Sequence, residues 1–352
     1  MKFIDRWFNS VKEADYVCVL DTGSTDGSYE HLKTLNIIST QKFYKNFRFD
    51  VARNDSMKLI PDDAEILICI DIDEILLPGW SKLLKENWNS TTGRARYRYT
   101  WNFNEDGSEG VVFLADKIHK NNHFKWVNPV HEILEQTSNT TLTTIDLPNI
   151  KVHHLADQTK SRSSYLPLLE LAVKENPEND RNTHYLGREY MFHKEYDKAI
   201  ETLKKHLSLP KATWKEERSA SHRYIAKCYG YKNDFSNQEK HLLLALLEFN
   251  LSREPYFDLA LLYYQKKDYL KSALSIEEML KITKRNLNYI SSPICWGALP
   301  YDILSICYYE LKEYNKALFY VNKAIELDKD LRLINNRQLF LKKSNEKDSN
   351  AN

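Results

Sequence analysis

Short apolar runs alternate with polar turns in the first half of the chain, from residue 15 to residue 155. Five runs are rich in β-branched and aromatic residues and have the length of strands: 16–20, 66–70, 94–100, 111–114 and 150–152. Amphipathic segments with helical spacing lie between them, at 28–35 and 51–59. Strands that alternate with helices predict an α/β domain with a mostly parallel sheet.

After residue 160 the pattern changes to long amphipathic segments rich in Leu, Tyr, Ala, Glu and Lys. Four times, a small residue is followed three positions later by a tyrosine: Gly187 and Tyr190, Ala226 and Tyr229, Ala260 and Tyr263, Ser305 and Tyr308. Nine residues after each tyrosine comes a position suited to the start of a second helix: Ala199, Gln238, Ser272 and Ala317. This predicts helix pairs whose small residues allow close approach.

The small residues are separated by 39, 34 and 45 positions. An interval of 34 is the tetratricopeptide period, so the longer intervals imply inserted loops. The pattern divides the chain into an α/β domain at 1–157, a linker helix at 158–180 and an all-α solenoid of tetratricopeptide-like repeats at 181–335. The polar segment 336–352 has few apolar residues and is expected to be disordered.

Composition excludes some classes of partner. Lys and Arg number 50 against 49 Asp and Glu, so no net field favours nucleic acid or an anionic membrane. The start of the chain lacks the apolar core of a signal peptide, and no apolar run reaches the roughly 20 residues that span a bilayer. The five cysteines are widely spaced and odd in number, as expected for thiols of a reducing compartment. These features predict a cytoplasmic protein without a transmembrane segment.

The segment VCVLDTGSTDGSYEHL predicts a strand, a turn and a helix, with Asp21 and Thr22 at the carboxyl end of the strand. In open parallel sheets this edge forms the ligand crevice, so both residues are placed to contact a nucleoside. An ordinary strand-to-helix turn explains the same residues, with Asp26 as a helix cap and Gly23 and Gly27 supplying positive φ.

The segment ILICIDIDEILLP predicts an apolar strand that ends in acidic residues. Strand alternation puts Asp71 and Asp73 on the same face, where their carboxylates repel each other unless a cation lies between them. Oxygen ligands of this kind suit Mg²⁺ or Mn²⁺. The alternative is a solvated acidic loop.

Between these segments, FYKNFRFDVARNDSM places Arg48, Arg53 and Asn54 around the start of a predicted helix. An arginine there could neutralise a diphosphate, and Arg53 is the favoured residue. Surface ion pairing of either arginine is the alternative.

LDTGSTDGS, FDVARNDS and CIDIDEILLPGW resemble, in order and spacing, the successive motifs of family-two glycosyltransferases with the type A fold. WVNPVHEIL and IKVHHLAD resemble the closing motifs of a subgroup that carries C-terminal tetratricopeptide repeats. That subgroup includes peptide glycosyltransferases, among them S-glycosyltransferases of bacteriocins. The resemblance covers nearly the whole chain, and it implies that 1–157 is a glycosyltransferase domain that uses a nucleotide sugar.

The resemblance also implies roles for individual residues. Asp21 and Thr22 would bind the nucleoside, with uridine diphosphate favoured, and Arg53 would contact the base or the diphosphate. Asp71 would bind the donor, and together with Asp73 it would hold Mn²⁺ or Mg²⁺. A later histidine would be the third ligand, with His154 preferred over His131 and His153.

Sugar transfer builds positive charge at the anomeric carbon while the diphosphate leaves, so the metal would act as a Lewis acid. An acceptor hydroxyl or thiol would attack from the opposite face and invert that centre, helped by a carboxylate base. Glu132 is the candidate base, with Glu74 and Asp116 as alternatives. The repeats would dock a peptide, glycan or carrier acceptor, or would serve as a platform for a homodimer.

The chain departs from that family in two ways. It starts at the helix FIDRWFNSV, so the family's first, central strand is missing, which would leave unpaired backbone on both neighbouring strands. The segment ADKIHKN also lacks an arginine-rich pattern. Two hypotheses follow: an active glycosyltransferase, or a degenerate domain that survives as an interaction scaffold. A nucleotidyltransferase would need a glycine- and lysine-rich phosphate loop near the start, and none is seen.

Overall fold

The computed structural model describes residues 2–156 and 165–351, with side chains as far as residue 346. It divides into two compact units. The first comprises Met1–Pro177 together with Leu287–Tyr289, and the second comprises Glu178–Asn286 together with Ile290–Asn352. Among the described residues, no helix is long and apolar enough to cross a membrane.

The first unit mixes short helices with strands. Its helices are α1 (Ile4–Val11), α2 (Ser28–Leu32), α3 (Phe49–Met57), α4 (Trp80–Asn87) and α5 (Tyr165–Glu175). Its strands are β1 (Cys18–Asp21), β2 (Ile38–Gln41), β3 (Ile66–Ile68), β4 (Glu74–Leu76), β5 (Thr92–Thr100), β6 (Val112–Lys120), β7 (Phe124–Val127), β8 (Ile133–Gln136) and β9 (Thr143–His154). The predicted linker helix at 158–180 begins outside the described residues, and α5 belongs to the first unit.

The strands form a mixed arrangement, so the prediction of a mostly parallel sheet is wrong. The main sheet has the order β3-β6-β5-β9-β4, and within it only β5 and β9 run parallel. Strands β1 and β2 form a separate parallel pair, while β7 and β8 form an antiparallel pair. A tight turn at Gly107 (φ 82°) joins β5 to β6, and such a hairpin makes neighbouring strands antiparallel without a crossover helix.

Strands β1 and β3 each have one open edge among the described strands. Strand β1 pairs only with β2, and β3 pairs only with β6. Val19 of β1 and Ile68 of β3 pack against the same core cluster, yet each is only partly buried. An open edge leaves backbone donors and acceptors without strand partners.

The core of the first unit lies on the main sheet. Tyr97, Ile118, Ile150 and Val152 have no exposed surface, and Trp7 and Trp80 bring helices α1 and α4 onto the same cluster. Burying each such side chain contributes about 1.5–3 kcal/mol. The core therefore fixes β5, β6 and β9, whose residues lead into the candidate site.

The second unit is a series of helix pairs, which confirms the predicted tetratricopeptide-like solenoid. The pairs are α6 (Asp180–Phe192) with α7 (Tyr196–Ser208), α8 (Lys215–Tyr231) with α9 (Phe235–Glu248), α10 (Glu254–Gln265) with α11 (Tyr269–Leu280), and α12 (Leu299–Glu310) with α13 (Tyr314–Leu327). A short 3₁₀ helix, Pro293–Trp296, occupies the longest interval between pairs.

The four helix pairs turn in the same way. A residue with positive φ, between 59° and 63°, ends each first helix: Lys194, Asn233, Lys267 and Lys312. The carbonyl of each repeated tyrosine then accepts a 2.9 Å hydrogen bond from the N–H five residues later. This is the Schellman pattern that closes a helix end. The local geometry thus repeats at the same intervals as the small residues.

The small residues allow the paired helices to approach closely, as predicted. A Cβ atom on Gly187 would lie 2.5 Å from Cγ of Leu203 on the paired helix. Ala226, Ala260 and Ser305 are fully buried. Only small side chains fit at these crossings.

The tail is helical, whereas the sequence predicted disorder from residue 336. Helix α14 spans Leu331–Ala351. Leu333 and Phe340, seven residues apart on one helical stripe, are each 2% exposed and join the core of the last helix pairs. Phe340 therefore gives the first part of the predicted tail a buried contact that the mean polarity of the segment does not reveal.

Candidate functional site

Arg53 of α3 lies at the centre of the candidate site in the first unit. Its Nη1 lies 2.9 Å from Oδ1 of Asp71 and 2.8 Å from Sγ of Cys69, and its Nε donates to Oε1 of Glu132. The guanidinium carbon lies 5.1 Å from the ring centroid of Trp126. The structure therefore brings together Arg53, Asp71 and Glu132, which the sequence singled out separately.

Asn54 fixes the helix that carries Arg53. Its Nδ2 donates to the carbonyl of Trp126 at 2.8 Å, and its Oδ1 accepts from the N–H of Trp126 at 2.8 Å. The N–H of Phe49 donates to the carbonyl of Pro129. These bonds join α3 to β7 and to the loop before Glu132, which orients Arg53 towards the acidic residues.

Lys117 of β6 is a second cation that the sequence did not single out. Its Nζ lies 3.0 Å from Oδ2 of Asp71 and 3.0 Å from Oε1 of Glu74. Desolvation by itself raises the pKa of Asp71, but the charges of Arg53 and Lys117 lower it overall. The sequence did contain a clue to this contact, because the segment ADKIHKN lacks arginines but includes Lys117.

Glu74 is a buried, fully engaged carboxylate. Its Oε2 accepts from the N–H of Asp71 at 2.9 Å, and its Oε1 accepts from the hydroxyl of Tyr99 at 2.6 Å as well as from Lys117. Its exposed fraction is 1%. This environment suits a structural role better than that of a base, which must reach the acceptor.

Asp71 and Asp73 do not share the face of a strand, because β3 ends at Ile68 and both residues lie in the connection to β4. Asp73 instead faces His154, with Oδ2 3.5 Å from Nε2, while Nδ1 of His154 lies 3.0 Å from the carbonyl oxygen of Trp101. Burial lowers the pKa of His154, but hydrogen bonding to Asp73 and Trp101 raises it overall.

The three predicted metal ligands therefore fall into two groups. Asp71 lies against Arg53 and Lys117, whereas Asp73 and His154 face each other. Asp73 and His154 are 17% and 12% exposed. Within the described part of the chain, the three ligand atoms do not all lie within 4.8 Å of one another.

Asp21 organises its own loop. Its Oδ1 accepts from the N–H groups of Gly23 (2.9 Å) and Ser24 (2.8 Å) and from Nε2 of Gln41 (2.9 Å). Burial raises the pKa of Asp21, but these hydrogen bonds lower it overall. Thr22 is exposed. Both residues lie at the carboxyl end of β1, as the sequence predicted.

The loop has the glycine conformations of an ordinary turn, but Asp26 is not the N-cap of α2. Gly23 and Gly27 have φ of 116° and 83°, as an ordinary turn requires. Oδ1 of Asp26 accepts from the N–H of Ser28 at the start of α2, where Gly27 is the N-cap.

The remaining candidates have contacts away from Asp71. Asp116 pairs with Arg94 at 2.9 Å, and Arg48 pairs with Asp50 at 2.9 Å. The ring of His153 packs edge-on against Phe103, and burial lowers its pKa. The ring of His131, in a residue with φ of 50°, lies 5.8 Å from that of Tyr165.

No known protein family and no curated protein matches this chain. Similar solved structures include YrrB, a tetratricopeptide-repeat protein with an unusual peptide-binding site, at 13% identity and TM-score 0.37 over 49% of this chain and 80% of that chain. A tetratricopeptide-repeat protein of Thermus thermophilus is similar at 19% identity and TM-score 0.34, over 51% of this chain and 90% of that chain. The MamA protein is similar at 18% identity and TM-score 0.38, over 47% and 82%.

These likenesses concern the helical repeats and carry no argument about function at such low identities and TM-scores. The repeat architecture of the second unit rests on its own helix pairs and turns.

Proposed function

We propose that the first unit is a nucleotide-sugar-dependent glycosyltransferase domain and that the second unit docks its acceptor. The observation that carries the proposal is the contact of Arg53 with both Asp71 and Glu132, residues 18 and 79 positions away. Three motifs that resemble those of one enzyme family supply these residues. A mere scaffold has no need to gather them.

In this proposal the donor diphosphate binds to Arg53 and Lys117. Both cations contact Asp71, and they also hold Glu132 and Glu74. Phosphate oxygens would replace these carboxylates as partners of the two cations. A planar guanidinium and an ammonium are both suited to phosphate oxygens. The nucleoside would lie against the loop of Asp21 and Thr22 at the end of β1.

Asp73 and His154 by themselves fit a metal ion better than the predicted set of Asp71, Asp73 and His154. A carboxylate oxygen and an imidazole nitrogen 3.5 Å apart suit Mn²⁺, whereas Mg²⁺ prefers oxygen ligands throughout. When bound, the ion would supply Lewis-acid stabilisation of the leaving diphosphate. The hydrogen bond of His154 to Trp101 would keep its imidazole oriented.

Glu132 remains the proposed base, although it is now held by Arg53. Diphosphate binding would compete for the guanidinium and would weaken this ion pair. Glu132 would then be released to accept the proton of an attacking hydroxyl or thiol, with inversion at the sugar. Donor binding would thus activate the base.

The acceptor is proposed to be a peptide, glycan or carrier bound by the helical repeats. Repeat arrays present extended surfaces suited to such ligands.

Calorimetric titration of the full chain with uridine diphosphate, with and without Mn²⁺, tests the proposal. We expect Mn²⁺ to strengthen the binding of uridine diphosphate. We expect Asp73→Asn and His154→Gln each to reduce this Mn²⁺-dependent gain in affinity at least tenfold. Asp146→Asn is the matched control, since that carboxylate pairs with Arg96 on the surface of β9. A folded wild-type chain that binds no uridine diphosphate in either condition contradicts the donor assignment.

The second candidate is an interaction scaffold with a degenerate first unit. The open edges of β1 and β3 favour it, because a donor-binding sheet is expected to be continuous. Absence of binding to uridine, guanosine and cytidine diphosphates, with an intact circular dichroism spectrum, would favour the scaffold.

A further inference from the structure

The second unit contains a cluster of two histidines and a glutamate that has no part in the proposed transfer reaction. His184 lies on α6, His206 on α7 and Glu217 in the first turn of α8. Their exposed fractions are 0%, 0% and 3%. One ligand atom from each residue lies within 4.8 Å of the other two. We propose that these three side chains bind a zinc ion.

The distances suit zinc. Two ligands that are each about 2.0–2.1 Å from a tetrahedral zinc ion are about 3.4 Å apart. Nε2 of His206 lies 3.4 Å from Oε1 of Glu217. The ring centroids of His184 and His206 are 5.3 Å apart, and the three ligand atoms lie within 4.8 Å of one another, so the side chains would move closer together on binding the ion.

Ser221 on α8 orients both imidazoles. Its Oγ lies 2.7 Å from Nδ1 of His184 and 2.9 Å from Nδ1 of His206. A hydroxyl oxygen has two lone pairs and accepts from both rings when each carries its proton on Nδ1. In that tautomer both Nε2 atoms present lone pairs, and outer hydrogen bonds of this type are usual for metal-binding histidines.

The donor set selects among metals. Two imidazoles and one carboxylate are ligands of zinc sites, whereas Mg²⁺ and Ca²⁺ favour oxygen-only coordination. Three protein ligands leave a fourth position for water. Because the ligands come from three successive helices, the ion would link the first helix pair to the next helix, and its binding free energy would stabilise that junction.

The chain supplies a matched control in a second buried histidine pair. His222 and His241 have their Nδ1 atoms 3.0 Å apart and are 8% and 7% exposed. Within the described residues, no group of three potential ligands includes either of them. Replacing His241 therefore removes a buried imidazole of the same unit without removing a proposed ligand.

The experiment uses the full chain, stripped with a chelator and titrated with Co²⁺ and then Zn²⁺. We expect Co²⁺ to bind with the visible absorption of a tetrahedral site, to be displaced by Zn²⁺, and to raise the melting temperature. His206→Gln and Glu217→Gln should weaken Zn²⁺ binding at least tenfold. His241→Gln should bind as the wild type does, and Asp73→Asn should retain this site.

A stripped, folded wild-type chain that binds no Co²⁺ or Zn²⁺ overturns the proposal and leaves a metal-free hydrogen-bonded cluster. Binding that Glu217→Gln and His206→Gln leave unchanged overturns it as well, because the ion then lies elsewhere. Binding lost only in Asp73→Asn assigns the ion to the first unit and also counts against the proposal.

Discussion

At the scale of single residues, the role of Arg53 depends on the shape of its guanidinium group as well as on its charge. Its flat guanidinium contacts Asp71, Cys69 and Glu132 along its edge and Trp126 on its face. A lysine carries the same charge but has neither the fork nor the plane. The geometry of the group, in addition to its charge, holds α3 against the acidic residues.

Arg53→Lys should therefore lower the free energy of unfolding by on the order of 2 kcal/mol, because the partly buried carboxylates of Asp71 and Glu132 lose directed partners. Urea denaturation followed by tryptophan fluorescence measures the change. Arg96→Lys is the control, since Arg96 and Asp146 form a surface pair with both side chains nearly half exposed. Its effect should stay below about 1 kcal/mol. Equal losses in the two variants would contradict a special role for Arg53.

Buried histidines make the second unit sensitive to acid. Burial lowers the pKa of His222 and of His241 to about 4. In unfolded chains the pKa of histidine is about 6.5. Between this value and the lowered pKa, the unfolded state therefore binds more protons than the folded state. Stability should therefore be complete above about pH 6.5 and should fall as the pH decreases towards 4.

The slope should be at most about 1.4 kcal/mol per pH unit for each histidine. Urea midpoints at pH 7, 6 and 5, followed by circular dichroism, measure it. His241→Gln should flatten the curve relative to the wild type, because one titrating group is removed. A variant curve parallel to that of the wild type would show that this pair is not responsible.

At the scale of elements, the helix pairs are defined by how closely their axes approach. The repeated tyrosines are mostly buried, and the small residues three positions before them lie at the crossings. Ser272 adds a bond from its hydroxyl to the carbonyl of Ala260 at 2.9 Å. The repeated pattern in the sequence therefore corresponds to one packing arrangement used four times.

Gly187→Ala should destabilise the second unit by about 1–3 kcal/mol, because its new methyl group would lie 2.5 Å from Leu203 and the helices would have to separate. Thermal unfolding by circular dichroism measures the loss. Gly297→Ala is the control, since nothing lies within 4 Å of its added Cβ and its φ is −95°. An unchanged melting temperature for Gly187→Ala would argue against the close crossing of α6 and α7.

At the scale of the whole molecule, the chain forms two units with separate cores. The main cluster of the first unit lies on the mixed sheet, whereas that of the second lies between successive helix pairs. In repeat arrays each pair contacts mainly its neighbours, so stability is a sum of local terms. The second unit is therefore expected to fold without the first.

A fragment of residues 178–352 should be helical and should unfold cooperatively. Gly187→Ala should destabilise it by the same amount, within about 0.5 kcal/mol, as in the full chain, because the effect is local. Circular dichroism melts of both chains make the comparison. A fragment without helical structure would mean that the first unit is required for folding.

The sequence by itself determined the features that depend on local periodicity. The helix pairs follow from apolar residues at helical spacing and from the small residues before Tyr190, Tyr229, Tyr263 and Tyr308. The strand segments around β1, β3 and β5 follow from short β-rich runs. Arg53 and Asp71 could be named as candidates from their own segments, and Glu132 from the resemblance of WVNPVHEIL to a closing motif of a glycosyltransferase subgroup.

Only the tertiary structure decided which residues meet. The direction of β6 depends on a hairpin at Gly107, and β9 joins β5 across more than 40 residues, so the mixed sheet follows from non-local pairing. Lys117 reaches Asp71 for the same reason. The cluster of His184, His206 and Glu217 has no motif in the sequence, because three packed helices bring it together. Periodicity specifies elements, whereas contacts between distant residues depend on how those elements pack.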